Sequence, residues 1–304
     1  MIRRLLTKSA VAAAILLVLT GTASAASLKV IATFSVIGDL VRTVGGSDVT
    51  VTTLVPPGSD AHVYQPTPQD AKSIAGADLV VVNGLGMEGW LDRLIKASGY
   101  QGKIVVASEG VTAQTMIEEG NGPDNAKRIT DPHAWQNLAN GRIYVRDIAA
   151  ALAKADPANA AGYEERAGHL TEEIDALDEW VRRQIADIPP SKRKIITSHD
   201  AFGYFGKAYG VTFLAPVGIS TESEPTATGL GQLVRQIKKE GIKALFIESM
   251  TDPRLIAQLA HECGATVGDT LFSDTLSPDG GPADSYLKMF RHNVPAMIAG
   301  MRKN

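Results

Sequence analysis

Short, wholly apolar runs alternate along this chain with longer stretches in which apolar residues recur every three or four positions. Leu28 to Thr33 and Val49 to Val55 read as strands, the second running into Pro56-Pro57-Gly58, a loop signal. Thr67-Pro68-Gln69-Asp70 predicts a helix start: Thr67 is the N-cap, proline takes the first helical position and Asp70 closes a capping box. Asp78 to Val82 and Lys103 to Ala107 have the composition of parallel strands buried on both faces. Strands alternating with helices in this way predict an α/β lobe built on a parallel sheet.

The middle of the chain follows another rule. From Asp156-Pro157 onward, apolar residues fall at Tyr163, Ala167, Leu170, Ile174, Leu177, Val181, Ile185 and Ile188, until Pro189-Pro190 stops the pattern. Such a helix is a rod of about 45 Å, expected to pack as a strut rather than to pair as a coiled coil. Beyond it the first pattern returns. Thr33-Phe34-Ser35 parallels Thr197-Ser198-His199, Gln65 to Pro68 parallels Glu224 to Ala227, and Leu79 to Val82 parallels Leu245 to Glu248. The expected fold is therefore α/β, with two four-stranded parallel-sheet lobes joined by a long rigid helix and a cleft between them. The expected boundaries are residues 26–155 for the first lobe, 156–189 for the helix and 190–304 for the second lobe.

Composition narrows the chemistry. A single cysteine among 304 residues excludes an intramolecular disulfide framework and any cysteine-rich metal cluster. Residues 1–25 read as a signal peptide: Arg3, Arg4 and Lys8 precede an apolar run too short to span a bilayer, and Ala23-Ser24-Ala25 is an A-x-A cleavage site. Cleavage after Ala25 removes three basic residues and no acidic one, taking the net charge from −3 to −6. A mildly acidic exported chain is a poor partner for nucleic acid, and the periplasm is its expected location.

In α/β lobes, ligands gather at the carboxyl ends of the strands, and four metal-competent side chains fall there. His62 follows the second strand, and His133 lies between the fourth strand and a helix. His199 follows the strand Lys194 to Thr197, and Asp274 follows Thr270 to Ser273, read as the fourth strand of the second lobe. Taken singly, each loop histidine is equally well a surface or capping residue. Together, three imidazoles and a carboxylate suit Zn²⁺ and also accept Mn²⁺.

At these positions the chain resembles a known family. Gly58-Ser59-Asp60-Ala61-His62-Val63-Tyr64-Gln65-Pro66-Thr67-Pro68 is similar to the first metal-histidine segment of the cluster A-I solute-binding proteins, the periplasmic or lipid-anchored receptors of zinc and manganese ABC importers. Asp131-Pro132-His133-Ala134-Trp135, Thr197 to Phe205 and Leu271 to Leu276 match the other three ligand segments in order. The resemblance implies one ion bound at His62, His133, His199 and Asp274 as transported cargo, a permease and its ATPase as partners, and a monomer without enzymatic activity. His199 stands at a position that is His or Glu in the family, which leans towards zinc. The stretch Thr112 to Thr130 lacks the histidine-rich loop of many zinc members and carries Glu118, Glu119 and Asp124, which keeps manganese open.

Glu248 is a candidate to orient a ligand histidine, and Trp135 to pack the cleft floor beside His133. His169, His261 and His292 are expected on the surface, and Cys263 as a small buried filler. A secreted zinc hydrolase is the alternative from another class, but neither H-E-x-x-H nor G-x-S-x-G occurs. An adhesin, a label some family members carry, has no anchor or adhesive patch to support it.

Overall fold

In the computed structural model, which describes residues 27–118, 127–222 and 224–304, the alternating pattern becomes two parallel sheets. The first contains β1 (Leu28–Phe34), β2 (Val49–Val55), β3 (Leu79–Val82) and β4 (Lys103–Val106) in the order β2-β1-β3-β4. Helices α1 (Ser35–Gly45), α2 (Pro68–Ala75) and α3 (Leu91–Ser98) make its crossovers. The capping box at Thr67 and Asp70 is formed from both sides. β3 is buried along its whole length, as expected for a strand covered on both faces.

Between β4 and His133 lies a feature the apolar pattern did not disclose, an antiparallel hairpin of β5 (Thr115–Glu118) and β6 (Lys127–Thr130). His133 therefore follows the hairpin rather than the fourth strand. β5 and β6 mix polar and apolar residues over four positions and lack the continuous apolar run that marks β3. The predicted signal peptide with its cleavage after Ala25, and Glu119 and Asp124 of the acidic stretch, lie outside the described residues.

Helix α4 (Leu138–Ala155) leads to α5 (Ala160–Ala186), whose 27 residues follow a 3-10 turn at Pro157–Asn159. The seven apolar residues from Tyr163 to Ile185 that mark its stripe are all buried. They pack against α4 and α1 on one side and the C-terminal helix on the other, so the helix is a strut whose stripe is covered within one chain. Burying each of the larger side chains contributes about 1.5–3 kcal/mol.

The second sheet contains β7 (Lys194–Ile196), β8 (Thr212–Leu214), β9 (Ala244–Leu245) and β10 (Thr266–Val267), with helices α6 (Gly203–Tyr209), α7 (Ala227–Glu240) and α8 (Arg254–Glu262) between them and α9 (Tyr286–Met301) after them. Its order, β8-β7-β9-β10, repeats that of the first sheet. Two expectations are corrected here. The fourth strand is Thr266–Val267, not Thr270 to Ser273, and β9 ends at Leu245 rather than at Glu248. Gly268 and Asp269, both poor strand formers, end the pairing, and beyond them only Leu271 bridges back, to Glu248. A large core runs from the first sheet through α4, α5 and α9 to Phe202, Phe205 and Phe246. A smaller one, around Ile196, Leu233, Ile237 and Leu259, lies on the other face of the second sheet. Among the described residues no helix is long and apolar enough to cross a membrane.

Candidate metal centre

The carboxyl ends of the two sheets face each other, and the four predicted side chains meet between them. One ligand atom from each of His62, His133, His199 and Asp274 lies within 4.8 Å of all the others, the only such group among the described residues. His133, His199 and Asp274 are fully buried, whereas His62 keeps 7% of its surface exposed. His62 also lines the mouth of the site, an open cavity of about 630 Å³ between Leu85, Met87 and Pro132 on one side and Ile219 and Glu222 on the other.

The same local device sets both histidines of the first lobe. In each D-x-H segment the aspartate accepts the backbone N–H of the histidine, Asp60 from His62 and Asp131 from His133, at 2.9 Å in both cases. Asp131 goes further, since its Oδ1 also lies 2.8 Å from His133 Nδ1. The sequence motif contains Asp131 without marking a role for it; its spacing from His133, the same as that of Asp60 from His62, is the signal that could have found it. Gly203 opens α6 against this carboxylate: a Cβ there would stand 2.7 Å from Asp131 Oδ2. Tyr204, the next residue, donates its hydroxyl to the Asp131 carbonyl at 3.3 Å.

Glu248 occupies the corresponding place in the second lobe. Its Oε1 accepts the His199 N–H at 2.9 Å. Its Oε2 lies 2.9 Å from His199 Nδ1, at an angle that falls short of a hydrogen bond. Ser273 donates its hydroxyl to the same carboxylate. Trp135 is fully buried, stands edge-on to His133 with ring centroids 5.3 Å apart, and donates its indole N–H to the Ser273 carbonyl at 2.9 Å. It stands against His133 and ties the lobes together through Ser273.

A further residue was not anticipated. The carboxylate of Glu88 is buried and accepts the Thr33 hydroxyl and the Asn83 N–H, both at 2.7 Å. Asn83 in turn donates to the Pro132 carbonyl, beside His133, at 3.0 Å. Burial raises the Glu88 pKa, against the pull of these hydrogen bonds. No local motif in the sequence marks this arrangement, which joins segments 55 and 49 residues apart.

The unpredicted details extend to the remaining histidines. His169 and His261 are exposed as expected. His292 is half-buried, with Nε2 2.8 Å from the Thr270 carbonyl and its ring edge-on to Phe272, because α9 covers the segment leading to Asp274. Cys263 is buried.

Electrostatically the cluster is a knot of opposed charges. Asp274 Oδ2 lies 3.0 Å from His199 Nε2 and 3.3 Å from His62 Nε2. Burial pushes the His133 pKa down, but the Asp274 and Asp131 carboxylates outweigh it and raise it to about 9. Burial likewise opposes charge on His199, and Glu248 and Asp274 overcome it, raising its pKa well above the usual value. Burial would raise the Asp274 pKa, yet His133 and His199 hold it well below the carboxylate range. Asp274 Oδ1 is buried with no hydrogen-bond partner among the described residues. An orphaned buried carboxylate oxygen among three imidazole nitrogens fits a divalent cation, which would meet all four donors at once.

Comparison with known proteins agrees with this chemistry. The family model for zinc-uptake complex component A, periplasmic (ZnuA), matches residues 30–300. A manganese ABC transporter substrate-binding lipoprotein, PsaA of Streptococcus anginosus, is 35% identical over 286 residues, covering 92% of this chain and 91% of its own. Among solved structures, the Mn-bound periplasmic metal-binding protein from Candidatus Liberibacter asiaticus superposes with a TM-score of 0.78 at 30% identity, covering 90% of this chain and 100% of its own. A structure of TroA, from a study of its metal-binding specificity, gives a TM-score of 0.84 at 30% identity over 91% of this chain and all of its own.

Proposed function

The chain belongs to the ZnuA family of periplasmic zinc-uptake components, and from that premise we propose that it captures one divalent transition-metal ion and delivers it to the permease and ATPase of an ABC importer. The observation that carries this reading is the convergence of His62, His133, His199 and Asp274 from two lobes on one buried point. Asp131 and Glu248 stand beside the Nδ1 atoms of His133 and His199. A carboxylate there favours the tautomer that leaves Nε2 free to ligate. Four protein donors complete a tetrahedron and leave no open position for a reactive water, which argues against a zinc hydrolase.

Zinc is the favoured cargo. Three imidazoles and one carboxylate form a zinc-like set, and at mixed nitrogen and oxygen sites zinc outbinds manganese. The name of the Streptococcus anginosus relative favours manganese as the second reading. Export by the segment before residue 26, action as a monomer and a limited tilt of the lobes on the α5 strut complete the proposal. Elemental analysis of apo protein dialysed against zinc or manganese tests it. About one equivalent per chain is expected, and a stoichiometry near zero contradicts it.

A further inference from the structure

Asp274 differs from the histidines in how it is held. Its Oδ2 meets His62 and His199, its Oδ1 lies 3.5 Å from His133 Nε2, and among the described residues its side chain has no hydrogen bond to a group outside the cluster. Nothing on the side chain fixes the carboxylate, so the backbone around it must. That backbone is not part of the sheet. The chain bends at Ser273 and Asp274, and ahead of the bend Leu271 makes an isolated bridge, exchanging hydrogen bonds with the backbone of Ile247 and Ser249 at 2.9 Å each.

The next residue turns its backbone groups to the opposite flank, where a fifth strand would be needed to pair them. Instead, the buried side-chain amide of Asn293 on α9 takes both. Its Oδ1 accepts the Phe272 N–H at 3.0 Å, and its Nδ2 donates to the Phe272 carbonyl at 2.6 Å. A carboxamide offers an N–H donor and a carbonyl acceptor side by side, as a peptide does. Leaving either Phe272 group unpaired in this buried place would cost free energy.

We propose that Asn293 is the positioning residue for Asp274: by pairing both backbone groups of Phe272, two residues earlier, it sets where the carboxylate enters the site. This rests on the metal-capture reading above. The consequence is selective. Manganese, a harder ion than zinc, depends more on the oxygen donor, whereas zinc retains three imidazoles if the carboxylate drifts. Loosening the Phe272 clamp should therefore weaken manganese binding more than zinc binding.

The test compares wild type, Asn293→Leu, Asn293→Asp, Asp274→Ala and the double variant Asn293→Leu/Asp274→Ala, each titrated with Zn²⁺ and with Mn²⁺. Folding is monitored by circular dichroism. Asn293→Leu keeps the side chain's approximate size and removes both hydrogen bonds. Asn293→Asp keeps the acceptor and removes the donor, and carries the same test if the leucine variant does not fold. The expected result is a loss of manganese affinity of roughly 10–100-fold, the range seen when groups that orient ligands are removed, with a smaller loss for zinc. In the double variant the Asn293 change should add nothing to the loss caused by Asp274→Ala. Equal losses for the two metals, full additivity in the double variant, or unchanged manganese affinity in Asn293→Leu overturns the inference while leaving metal capture intact. A wild-type protein that takes up neither metal overturns both.

Discussion

In the first lobe β1 and β2 run seven residues each, while in the second no strand among the described residues exceeds three. Yet His199 and Asp274, which come from the second lobe, are as deeply buried as His133. The first lobe places its histidines by local turns, each D-x-H segment folding its aspartate back onto the histidine N–H. The second lobe places its candidate ligands with distant side chains: Glu248 on His199 and Asn293 behind Asp274. A shared strand order brings the loops that carry the four candidate ligands to one place, and hydrogen-bonded side chains then hold them there. The segment that carries Asp274 is also tied to the first lobe. Ser273 accepts from Trp135 and Gln136, Leu276 donates its N–H to Ser35, and Gly58 donates its N–H to Thr275, at 2.7–2.9 Å.

This contrast can be broken most severely by deleting one ligand from each lobe. His62→Ala and Asp274→Ala should each weaken zinc binding by more than the roughly 10–100-fold typical of an outer carboxylate, measured by competition with a chelating dye. If either variant bound as wild type does, the lobes would not share one ion. A smaller effect separates the two orienting carboxylates. Asp131→Asn and Glu248→Gln should each cost about 10–100-fold in affinity. Glu248→Gln should also perturb folding stability more, because Glu248 additionally receives Ser273; paired titrations and thermal melts read this difference.

A further test is in pH. His133 is raised in the folded apo protein to about 9, against roughly 6.5 unfolded. Its contribution to apo stability is therefore fully present below about pH 6.5 and lost as the pH rises through 9. Metal binding must expel that proton, so affinity should increase over the same interval. Apo melting temperatures should fall, and the metal-induced increase should grow, between pH 6.5 and 9. His133→Gln should flatten both trends, and unchanged trends in that variant would contradict the assignment.

Much of this architecture was legible in the sequence because it rests on periodicity. The α5 stripe, the Thr67 cap and the doubly buried β3 all announce themselves through local patterns, and the internal repeat follows from comparing them. The four candidate ligands are legible chiefly through their motifs, because the strand placements read for His133 and Asp274 are ones the structure corrects. What could not be read depends on partners far apart in the chain. Glu88 acts on Thr33 and Asn83, and Asn293 supplies the pairing that a strand at Thr270 to Ser273 would have found in a neighbour. An apolar pair such as Leu271-Phe272 looks like a strand whether its hydrogen bonds go to a backbone or to a side-chain amide.

The coordination sphere of the bound ion tests the shared site most directly. X-ray absorption at the zinc edge of the loaded wild-type protein should show three imidazole nitrogens at about 2.0–2.1 Å and one carboxylate oxygen at about 2.0–2.2 Å. In Asp274→Ala the oxygen should be replaced by water or lost, with the imidazole scattering unchanged. A first shell dominated by water oxygens, or fewer than three imidazoles in the wild-type protein, would contradict a single site closed by both lobes.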